Sequence, residues 1–320
     1  PPNSYLLQNN NGIFTDVTAS VCPPLKNTGM VTAAVSTDFN NDQQPDLIIA
    51  GDWMPVRFFK NSNGRLEEVT RATGLTAMNG MWRSLIASDI DNDGDMDLVA
   101  GNIGLNNYYR VSNDEPMQLY AADLDGNGSI DPVYFYYIKS KDGKKYAYPG
   151  ISRSQFADQT PIIKKQFLMH EDYAKAKFDG IFKGKVKDSM YQVFCDETRT
   201  CVLENKGNGK FEKHPLPVEA QFAPVNAIIC YDLDGDGNKD LLLAGNEYQA
   251  EVMRGRYDAS YGCFLRGNGK NNFLAVSPVK SGFIVDGDVK DMALVTMTDK
   301  SKRILVGVNN DSLRVFAVGK

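Results

Sequence analysis

The chain has 320 residues, with 35 Lys and Arg against 40 Asp and Glu and a formal net charge of −5 at pH 7. Its 42% hydrophobic and 23% charged residues are typical of a globular protein, which excludes a disordered or collagen-like chain. No stretch approaches the roughly 20 apolar residues of a membrane helix, and no basic cluster suits a nucleic-acid backbone. The 28 Gly, 16 Phe and 15 Tyr favour β structure.

The predicted elements form a unit that repeats along the chain. A short strand, first seen at residues 32–35, leads through an acidic loop into a second strand that ends in Ala-Gly. A third and a fourth strand follow, joined by an Asn-Gly turn, which is a strong hairpin signal. Four antiparallel strands per unit, repeated radially, form a β-propeller. We therefore predict an all-β fold, a β-propeller of six to seven four-stranded blades.

Both ends of the chain and its middle depart from this unit. The strands predicted at residues 5–8 and 14–18 lack two partners, so we expect one domain over 1–320, closed by N- and C-terminal strands that share a blade. In the middle, residues 152–182 show apolar residues at helical spacing. We predict a helical insertion there, with these residues as its packing face, and a blade without an acidic loop at 190–216.

Two of the five cysteines lie close together in the sequence. Cys195 and Cys201 bracket a short polar segment between two strand-like runs, which predicts a β-hairpin. Two sulfurs that face each other across such a hairpin can form a disulfide. Two buried thiols are the alternative, and the sequence leaves both open.

Four segments place Asp or Asn at positions 1, 3, 5 and 9: loop 1 (38–46), loop 2 (89–97), loop 3 (123–131) and loop 4 (232–240). Oxygens at alternate positions of a tight loop suit a hard cation such as Ca²⁺, and position 7 can add its carbonyl. We predict up to four Ca²⁺ ions, with loops 2 and 4 strongest and loop 1 weakest. Solvated acidic turns are the alternative. The predicted ligands are Asp38, Asn40, Asp42, Gln44, Asp46, Asp89, Asp91, Asp93, Asp95, Asp97, Asp123, Asp125, Asn127, Ser129, Asp131, Asp232, Asp234, Asp236, Asn238 and Asp240.

These loops, the Ala-Gly after the second strand and the Asn-Gly-x-Phe turns resemble FG-GAP/VCBS repeats, as in the propeller of integrin α-subunits. Residues 82–84, 100–106, 123–132, 214–222 and 255–260 resemble the VCBS-repeat proteins of Bacteroidetes. The resemblance implies calcium in all four loops. It also implies an extracellular or cell-surface protein, with the periplasm as the alternative, and a chain that is part of a longer polypeptide. It does not imply one function.

The blade topology also predicts a ligand-binding face. Connections between strands 2 and 3 and between strands 4 and 1 lie opposite the acidic loops, and both tryptophans of the chain fall in them. Aromatic side chains beside Arg and Asn suit sugar stacking or a protein contact. Packing of the loops on one another is the alternative. The candidate ligand-binding residues are Trp53, Trp82, Arg83, Asn102, Asn106, Tyr248, Arg254, Arg256 and Tyr257.

Signals for an enzyme are weak, since the sequence has no P-loop, HExxH or GxSxG motif. His170 and His214 have no visible triad partners. We expect a calcium-binding extracellular propeller that binds a glycan or a protein, with no nucleic-acid partner and no membrane span. The alternatives are a lyase-like, polysaccharide-degrading enzyme on a propeller scaffold and a purely structural spacer of a larger surface protein.

Overall fold

The computed structural model describes residues 3–75, 78–182, 190–251 and 254–319, and most of the regular elements in them are strands. The strands are β1 (Leu7–Asn10), β2 (Ile13–Asp16), β3 (Met30–Thr37), β4 (Asp46–Met54), β5 (Arg57–Ser62), β6 (Arg65–Glu68), β7 (Gly80–Met81), β8 (Ser84–Ser88), β9 (Asp97–Gly101), β10 (Met117–Ala122), β11 (Asp131–Lys139), β12 (Lys145–Pro149), β13 (Tyr191–Cys195), β14 (Cys201–Asn205), β15 (Phe211–Pro215), β16 (Val225–Tyr231), β17 (Asp240–Gly245), β18 (Cys263–Gly267), β19 (Phe273–Val276), β20 (Val289–Thr296), β21 (Lys302–Val308) and β22 (Arg314–Ala317). The helices are α1 (Thr18–Val21), α2 (Arg153–Gln159), α3 (Ile162–Gln166), α4 (His170–Ala174), α5 (Phe178–Ile181) and α6 (Pro278–Ser281).

The chain divides into two units, which we call the repeat unit (Pro1–Asn107 with Thr198–Lys320) and the insert unit (Tyr108–Glu197). The repeat unit contains four antiparallel sheets: sheet I is β3-β4-β5-β6 with β7 on β4, sheet II is β8-β9-β14-β15, sheet III is β16-β17-β18-β19 and sheet IV is β20-β21-β22. The strands of each sheet are hydrogen-bonded in chain order, with the insert unit between β9 and β14 of sheet II and β7 as an addition to sheet I. This is the arrangement of a propeller blade. The predicted all-β class is confirmed.

Side chains at the start of the first strands join each sheet of the repeat unit to the next. A polar side chain of one sheet donates to a backbone carbonyl of the following sheet: Thr32 to Trp82 at 2.7 Å, Ser84 to Val225 at 2.7 Å, and Asn226 to Val289 at 2.8 Å. In sheets I and III the donor sits at a register shift of the first strand. A bulge re-aims a side chain in this way. These bonds order the sheets I, II, III, IV and place the starts of their first strands at one end.

The insert unit interrupts sheet II. Strand β9 ends at Gly101, and its next neighbour in the sheet is β14, which starts at Cys201. The prediction of one blade over residues 190–216 is therefore wrong, because β13 pairs with β10 in the insert unit. The hairpin predicted around Cys195 and Cys201 is wrong for the same reason. The structure has both cysteines as buried thiols, which was the alternative to a disulfide.

The insert unit has its own four-stranded sheet, in the order β12-β11-β10-β13, and it carries loop 3. The helices predicted near residues 152–182 are present as α2 to α5. Their buried residues, among them Phe156, Ile163 and Tyr173, form one core cluster with the sheet residues Val133 and Phe135. The predicted packing face is thus largely confirmed. Three of its members are exposed: Ala174, Ile162 at 53% and Leu168 at 77%.

The two chain ends form separate sheets in the described residues. Strands β1 and β2 pair with each other around the predicted Asn-Gly turn, where Asn11 and Gly12 have φ of 55° and 90°. The last sheet has three strands, and its β20–β21 connection lacks the acidic pattern, as predicted. A single propeller domain over 1–320, the number of its blades and a blade shared by the chain ends stay predictions.

All four acidic loops use one backbone conformation. Positions 4 and 6 have positive φ in every loop, at residues Asn41, Gln43, Asn92, Gly94, Gly126, Gly128, Gly235 and Gly237. Asn and Gly tolerate this left-handed region, whereas other residues pay roughly 1–2 kcal/mol in steric strain. Gln43, with φ of 67°, is the exception and strains loop 1.

We expect Gln43→Gly to stabilise the repeat unit by about 0.5–1 kcal/mol, since the relief of strain exceeds the extra flexibility of glycine in the unfolded chain. The reciprocal change, Gly94→Gln in loop 2, should destabilise by about 1 kcal/mol. A Cβ at Gly94 would meet nothing within 4 Å, so its effect comes from the backbone alone. Urea unfolding in EDTA, followed by tryptophan fluorescence, measures both. Equal midpoints for wild type and both variants would contradict this account.

Candidate functional site

The aspartate at position 9 closes each acidic loop onto the sheet. It is buried in all four loops, with Asp46, Asp97, Asp131 and Asp240 between 0% and 3% exposed. In loop 2, one oxygen of Asp97 accepts from the backbone N–H of Ile90 at 3.1 Å, and the other from Asn205 on the third strand at 2.7 Å. Position 9 is therefore a structural clamp as well as a candidate ligand.

The same two-sided clamp recurs in loops 1 and 4. Asp46 accepts from Phe39 and Asn61, at 3.2 and 2.7 Å. Asp240 accepts from Leu233 and Gly267, at 2.9 Å each. In loop 3 of the insert unit, Asp131 accepts from Leu124 at 3.0 Å.

Burial makes the position-9 carboxylates of loops 1, 2 and 4 costly to ionise. It raises the pKa of Asp97 to about 7, although the hydrogen bonds from Asn205 and Ile90 act in the opposite direction. Burial also raises the pKa of Asp46 and of Asp240. A bound cation would lower these pKa values, because it favours the ionised form.

Loop 2 has the donor set that best fits a cation. Oxygens of Asp89, Asp91 and Asp97 lie within 4.8 Å of one another. The Oδ1 atom of Asp89 is buried and has no hydrogen-bond partner. Within the described part of the chain, no lysine or arginine forms an ion pair with a carboxylate of this loop. A buried, unpartnered carboxylate oxygen among like charges is the position that a divalent ion would satisfy.

In loops 1 and 4 a basic side chain of the third strand already contacts the carboxylates. Lys60 lies 3.1 Å from Asp42 in loop 1. Arg266 lies 2.6 Å from Asp234 and 3.0 Å from Asp236 in loop 4. Loop 4 still gathers three carboxylates within 4.8 Å, whereas loop 1 forms no such group among the described residues. Loop 1 is thus the poorest candidate, as expected, and loop 4 is poorer than its sequence indicates.

Loop 3 gathers its ligands within the insert unit. Asp123, Asp125 and Asp131 bring one oxygen each to within 4.8 Å of the others. Asp123 accepts from the backbone N–H groups of Gly126 and Gly128, at 2.7 and 2.9 Å. These bonds turn the loop around its first carboxylate, and the trio can hold a metal ion in the same way as that of loop 2.

A row of alternating charges lies at the opposite end of the repeat unit. Asp52 lies in β4 of sheet I and Lys290 in β20 of sheet IV, whereas Arg83 directly precedes β8 of sheet II and Glu247 follows β17 of sheet III. We call these four residues the charged row. Arg83 is 3.3 Å from Asp52, and Lys290 is 3.8 Å from Glu247. Burial raises the pKa of Asp52, Arg83 lowers it, and the nearby Glu247 raises it further.

Two atoms of the charged row lack hydrogen-bond partners. Oδ1 of Asp52 and Nε of Arg83 are both buried and unpartnered. An unmade hydrogen bond of a buried charged group costs about 1–3 kcal/mol or more. The pair therefore has an acceptor and a donor that a polar ligand can use.

Aromatic residues flank the charged row. Trp53 follows Asp52, is partly exposed and has φ of 59°, an outlier for a bulky residue. Tyr248 follows Glu247, and the guanidinium of Arg256 lies 4.7 Å from the centre of its ring. The backbone of Glu247 also pairs with Tyr257, which holds the loop together at its base. Strain at an exposed aromatic residue is common where a site has been built for function.

Two of the predicted ligand-binding residues belong to the core instead. Trp82 is 0% exposed, and its indole donates to the carbonyl of Met54 at 3.1 Å. A Cβ on Gly80 would lie 2.5 Å from this ring, so the glycine makes room for it. Asn102 is also 0% exposed, and its side-chain oxygen accepts from the backbone of Met81 at 3.2 Å. The prediction that these two residues face a ligand is wrong, because both pack the loops together.

The other predicted residues remain accessible. Trp53, Arg83, Tyr248, Arg254, Arg256 and Tyr257 are partly or fully exposed, and most adjoin the charged row. Asn106 is exposed and donates to the carbonyl of Phe222 at 3.1 Å, with no contact that joins it to the row. The sequence reading missed Asp52, Glu247 and Lys290. Lys290 could have been found by its position in the repeat. It lies at the register shift of the first strand of sheet IV, which is the position that Asn226 occupies in sheet III.

Comparison with known proteins supports the repeat. The family model of the FG-GAP-like repeat matches residues 38–100, so the predicted FG-GAP resemblance is confirmed for that segment. The chain is also 29% identical over 140 residues to cartilage acidic protein 1 of Xenopus tropicalis, which covers 41% of this chain and 21% of that protein. The chain thus spans about a fifth of the length of that relative. An origin in Bacteroidetes and a longer parent polypeptide stay predictions.

Two solved structures show a distant likeness. The Vibrio cholerae biofilm matrix protein Bap1 is 9% identical with a TM-score of 0.31, covering 90% of this chain and 62% of Bap1. The BBS1N chain, solved in complex with ARL6DN, is 12% identical with a TM-score of 0.26, covering 91% of this chain and 79% of that one. TM-scores this low do not define a common fold. Across the described residues, no helix combines the length and the apolar character needed to cross a membrane.

We expect Asp46→Ala to destabilise the repeat unit by about 2–5 kcal/mol even in EDTA, since it leaves the buried N–H groups of Phe39 and Asn61 without acceptors. Asp42→Asn, in the same loop, should lose much less, because its amide oxygen can still accept from Gln44. Urea unfolding measures both. Equal losses for the two variants would show that position 9 is no clamp.

Proposed function

We propose that the chain is a calcium-binding extracellular module that binds a glycan at the charged row. The observation that carries the calcium part is the unpartnered Asp89 oxygen within the three-carboxylate group of loop 2. The FG-GAP-like repeat over residues 38–100 supports the same interpretation. Ca²⁺ suits these loops because it accepts 6–8 oxygen ligands in flexible geometry.

The loops should differ in affinity. Loops 2 and 3 offer three close carboxylates each, whereas loop 4 must first release Arg266, and loop 1 must release Lys60. We therefore expect tight binding at loops 2 and 3, weaker binding at loop 4 and the weakest at loop 1. Calcium at loop 2 would also remove the like-charge repulsion beside the boundary of sheets I and II, where Asn41 donates to Asp95.

Calcium should raise the melting temperature of the repeat unit, since a ligand that binds only the folded state at a hundredfold excess over its Kd adds about 2.7 kcal/mol. Both tryptophans lie in this unit, so their fluorescence reports on it alone. Asp89→Asn should remove most of the calcium-dependent shift, whereas Asp38→Asn in loop 1 should leave it. Equal melting temperatures in calcium and in EDTA for the wild type would refute a calcium site in loop 2.

The glycan part rests on the charged row and on Trp53. A sugar ring presents hydroxyl groups that both donate and accept, which matches the unpartnered Asp52 oxygen and Arg83 nitrogen. Its apolar face can stack on an aromatic side chain such as Trp53. The strained backbone of Trp53 costs stability in the free protein, which is understandable when the indole is needed for binding.

The test is an oligosaccharide array, followed by titration of the strongest hit. We expect Trp53→Gly to lose at least about tenfold in affinity, or 1.4 kcal/mol, while it keeps or gains stability because glycine relieves the positive φ. Arg83→Met should lose binding too. Arg65→Met, an exposed arginine on β6, is the matched control and should bind as the wild type does.

Two results would count against this glycan surface. Unchanged binding in Trp53→Gly and Arg83→Met would move the site elsewhere on the chain. An array without any hit, for a protein that melts cooperatively, would favour the structural-spacer alternative.

A further inference from the structure

A second kind of metal-ligating cluster lies on the outer strands of sheet II. Glu204 on β14 and Glu212 and His214 on β15 bring one ligand atom each to within 4.8 Å of the others. The register explains why they meet: Glu204 is directly opposite Glu212, and His214 is opposite Val202, two residues along. All three side chains therefore project from one face of the sheet.

This arrangement places two carboxylates opposite each other on neighbouring strands. Like charges directly opposite each other on neighbouring strands destabilise a sheet. Lys206 offsets one of the two negative charges, with its ammonium 3.0 Å from Oε1 of Glu204. The other oxygen, Oε2, lies 2.8 Å from Nε2 of His214, which in turn lies 4.0 Å from Glu212.

A neighbouring amide adds an independent observation. Asn271, in the β18–β19 turn of sheet III, donates to Asp91 of loop 2 at 3.1 Å. Glu204 has side-chain hydrogen bonds with Lys206, Asn271 and His214. The Oδ1 atom of Asn271 is buried and has no hydrogen-bond partner. The turn beside the cluster thus holds an oxygen acceptor that has no partner.

We propose that Glu204, Glu212 and His214 bind a divalent transition ion of the Zn²⁺ class, separate from calcium in the acidic loops. Imidazole nitrogen and carboxylate oxygen are ordinary Zn²⁺ ligands at about 2.0–2.2 Å. Ligand atoms of a tetrahedral ion at that distance lie about 3.4 Å apart. The observed separations of 2.8 and 4.0 Å bracket this value, so small side-chain shifts suffice. Calcium prefers oxygen ligands only, which makes the histidine discriminating.

The ion would replace the hydrogen bond between His214 and Glu204. The ring nitrogen Nε2 and the carboxylate oxygen Oε2 would then both face the metal, while Lys206 keeps Oε1. Glu212, whose side chain is 62% exposed, can swing in from the solvent side. Water would fill the fourth position, as in zinc sites with three protein ligands.

The test uses the full chain in millimolar calcium, so that the acidic loops are occupied by their own ion. Zn²⁺ is titrated against a chromogenic indicator, and Co²⁺ in place of Zn²⁺ reports tetrahedral nitrogen–oxygen ligation by its visible absorption. We expect one Zn²⁺ per chain. His214→Gln and Glu212→Gln should each raise the Kd more than about tenfold, since even loss of a residue that supports a ligand costs 10–100-fold.

The chain provides a matched control, because His170 is its only other histidine. His170→Gln should bind Zn²⁺ as the wild type does. Equal Zn²⁺ affinity in the wild type and all three variants, or no binding by the wild type, would overturn the proposal. Glu212 and His214 are partly exposed, so the variants should fold, and their melting curves in calcium check this. The result does not depend on whether a glycan binds.

Discussion

The carboxylate at position 9 is the interaction on which the repeated structure depends. It is the one acidic side chain of each loop that the fold buries almost completely, at 3% exposed or less. In the repeat unit it accepts from the loop with one oxygen and from the third strand with the other. These hydrogen bonds join the hairpin of the first two strands to the third strand, which has few backbone hydrogen bonds to the second strand. A buried charge held this way fixes the register of the sheet, because a one-residue slip would leave it unpaired.

The clamp has a consequence for the rest of the loop. Once position 9 is buried and negative, the carboxylates at positions 1, 3 and 5 meet an existing negative charge at close range. The repeat solves this problem in two ways. In loops 1 and 4, Lys60 and Arg266 from the third strand form ion pairs with the carboxylates. Among the described residues, loop 2 has no basic partner, and one oxygen of Asp89 has no hydrogen-bond partner. A basic side chain and a bound metal ion are thus two alternative ways to offset the repulsion between the loop carboxylates.

The sequence predicts the loops well because their chemistry is local. Asp at positions 1 and 9, Asn or Gly at position 4 and Gly at position 6 favour one conformation within nine residues. Loop 1 adopts it too, although it has Gln43 at position 6. The third strand of sheet II was not predictable in this way. Its partner lies about a hundred residues earlier, across the whole insert unit, and no local pattern encodes that pairing.

The prediction that Trp82 faces a ligand was wrong for a related reason. Its position in a loop suggested exposure, but Gly80 leaves room for the indole in the core, where it donates to the carbonyl of Met54. The basic partners of loops 1 and 4 come from a different strand, so the loop sequence alone could not rank those loops.

The two ends of the repeat unit arrange their charged side chains differently. At the acidic loops, charges of one sign are gathered within a single sheet, so a cation must come from a neighbouring strand or from solution. In the charged row the signs alternate from sheet to sheet. Arg83 pairs with Asp52 across a sheet boundary, whereas Lys290 lies 3.8 Å from Glu247 and closer, at 2.7 Å, to Asp288. Pairing of that kind neutralises the row but does not exhaust its hydrogen-bonding atoms, since Asp52 and Arg83 each keep one unused. The four-stranded unit thus gathers like charges within one sheet at one end and places unlike charges close together at the other.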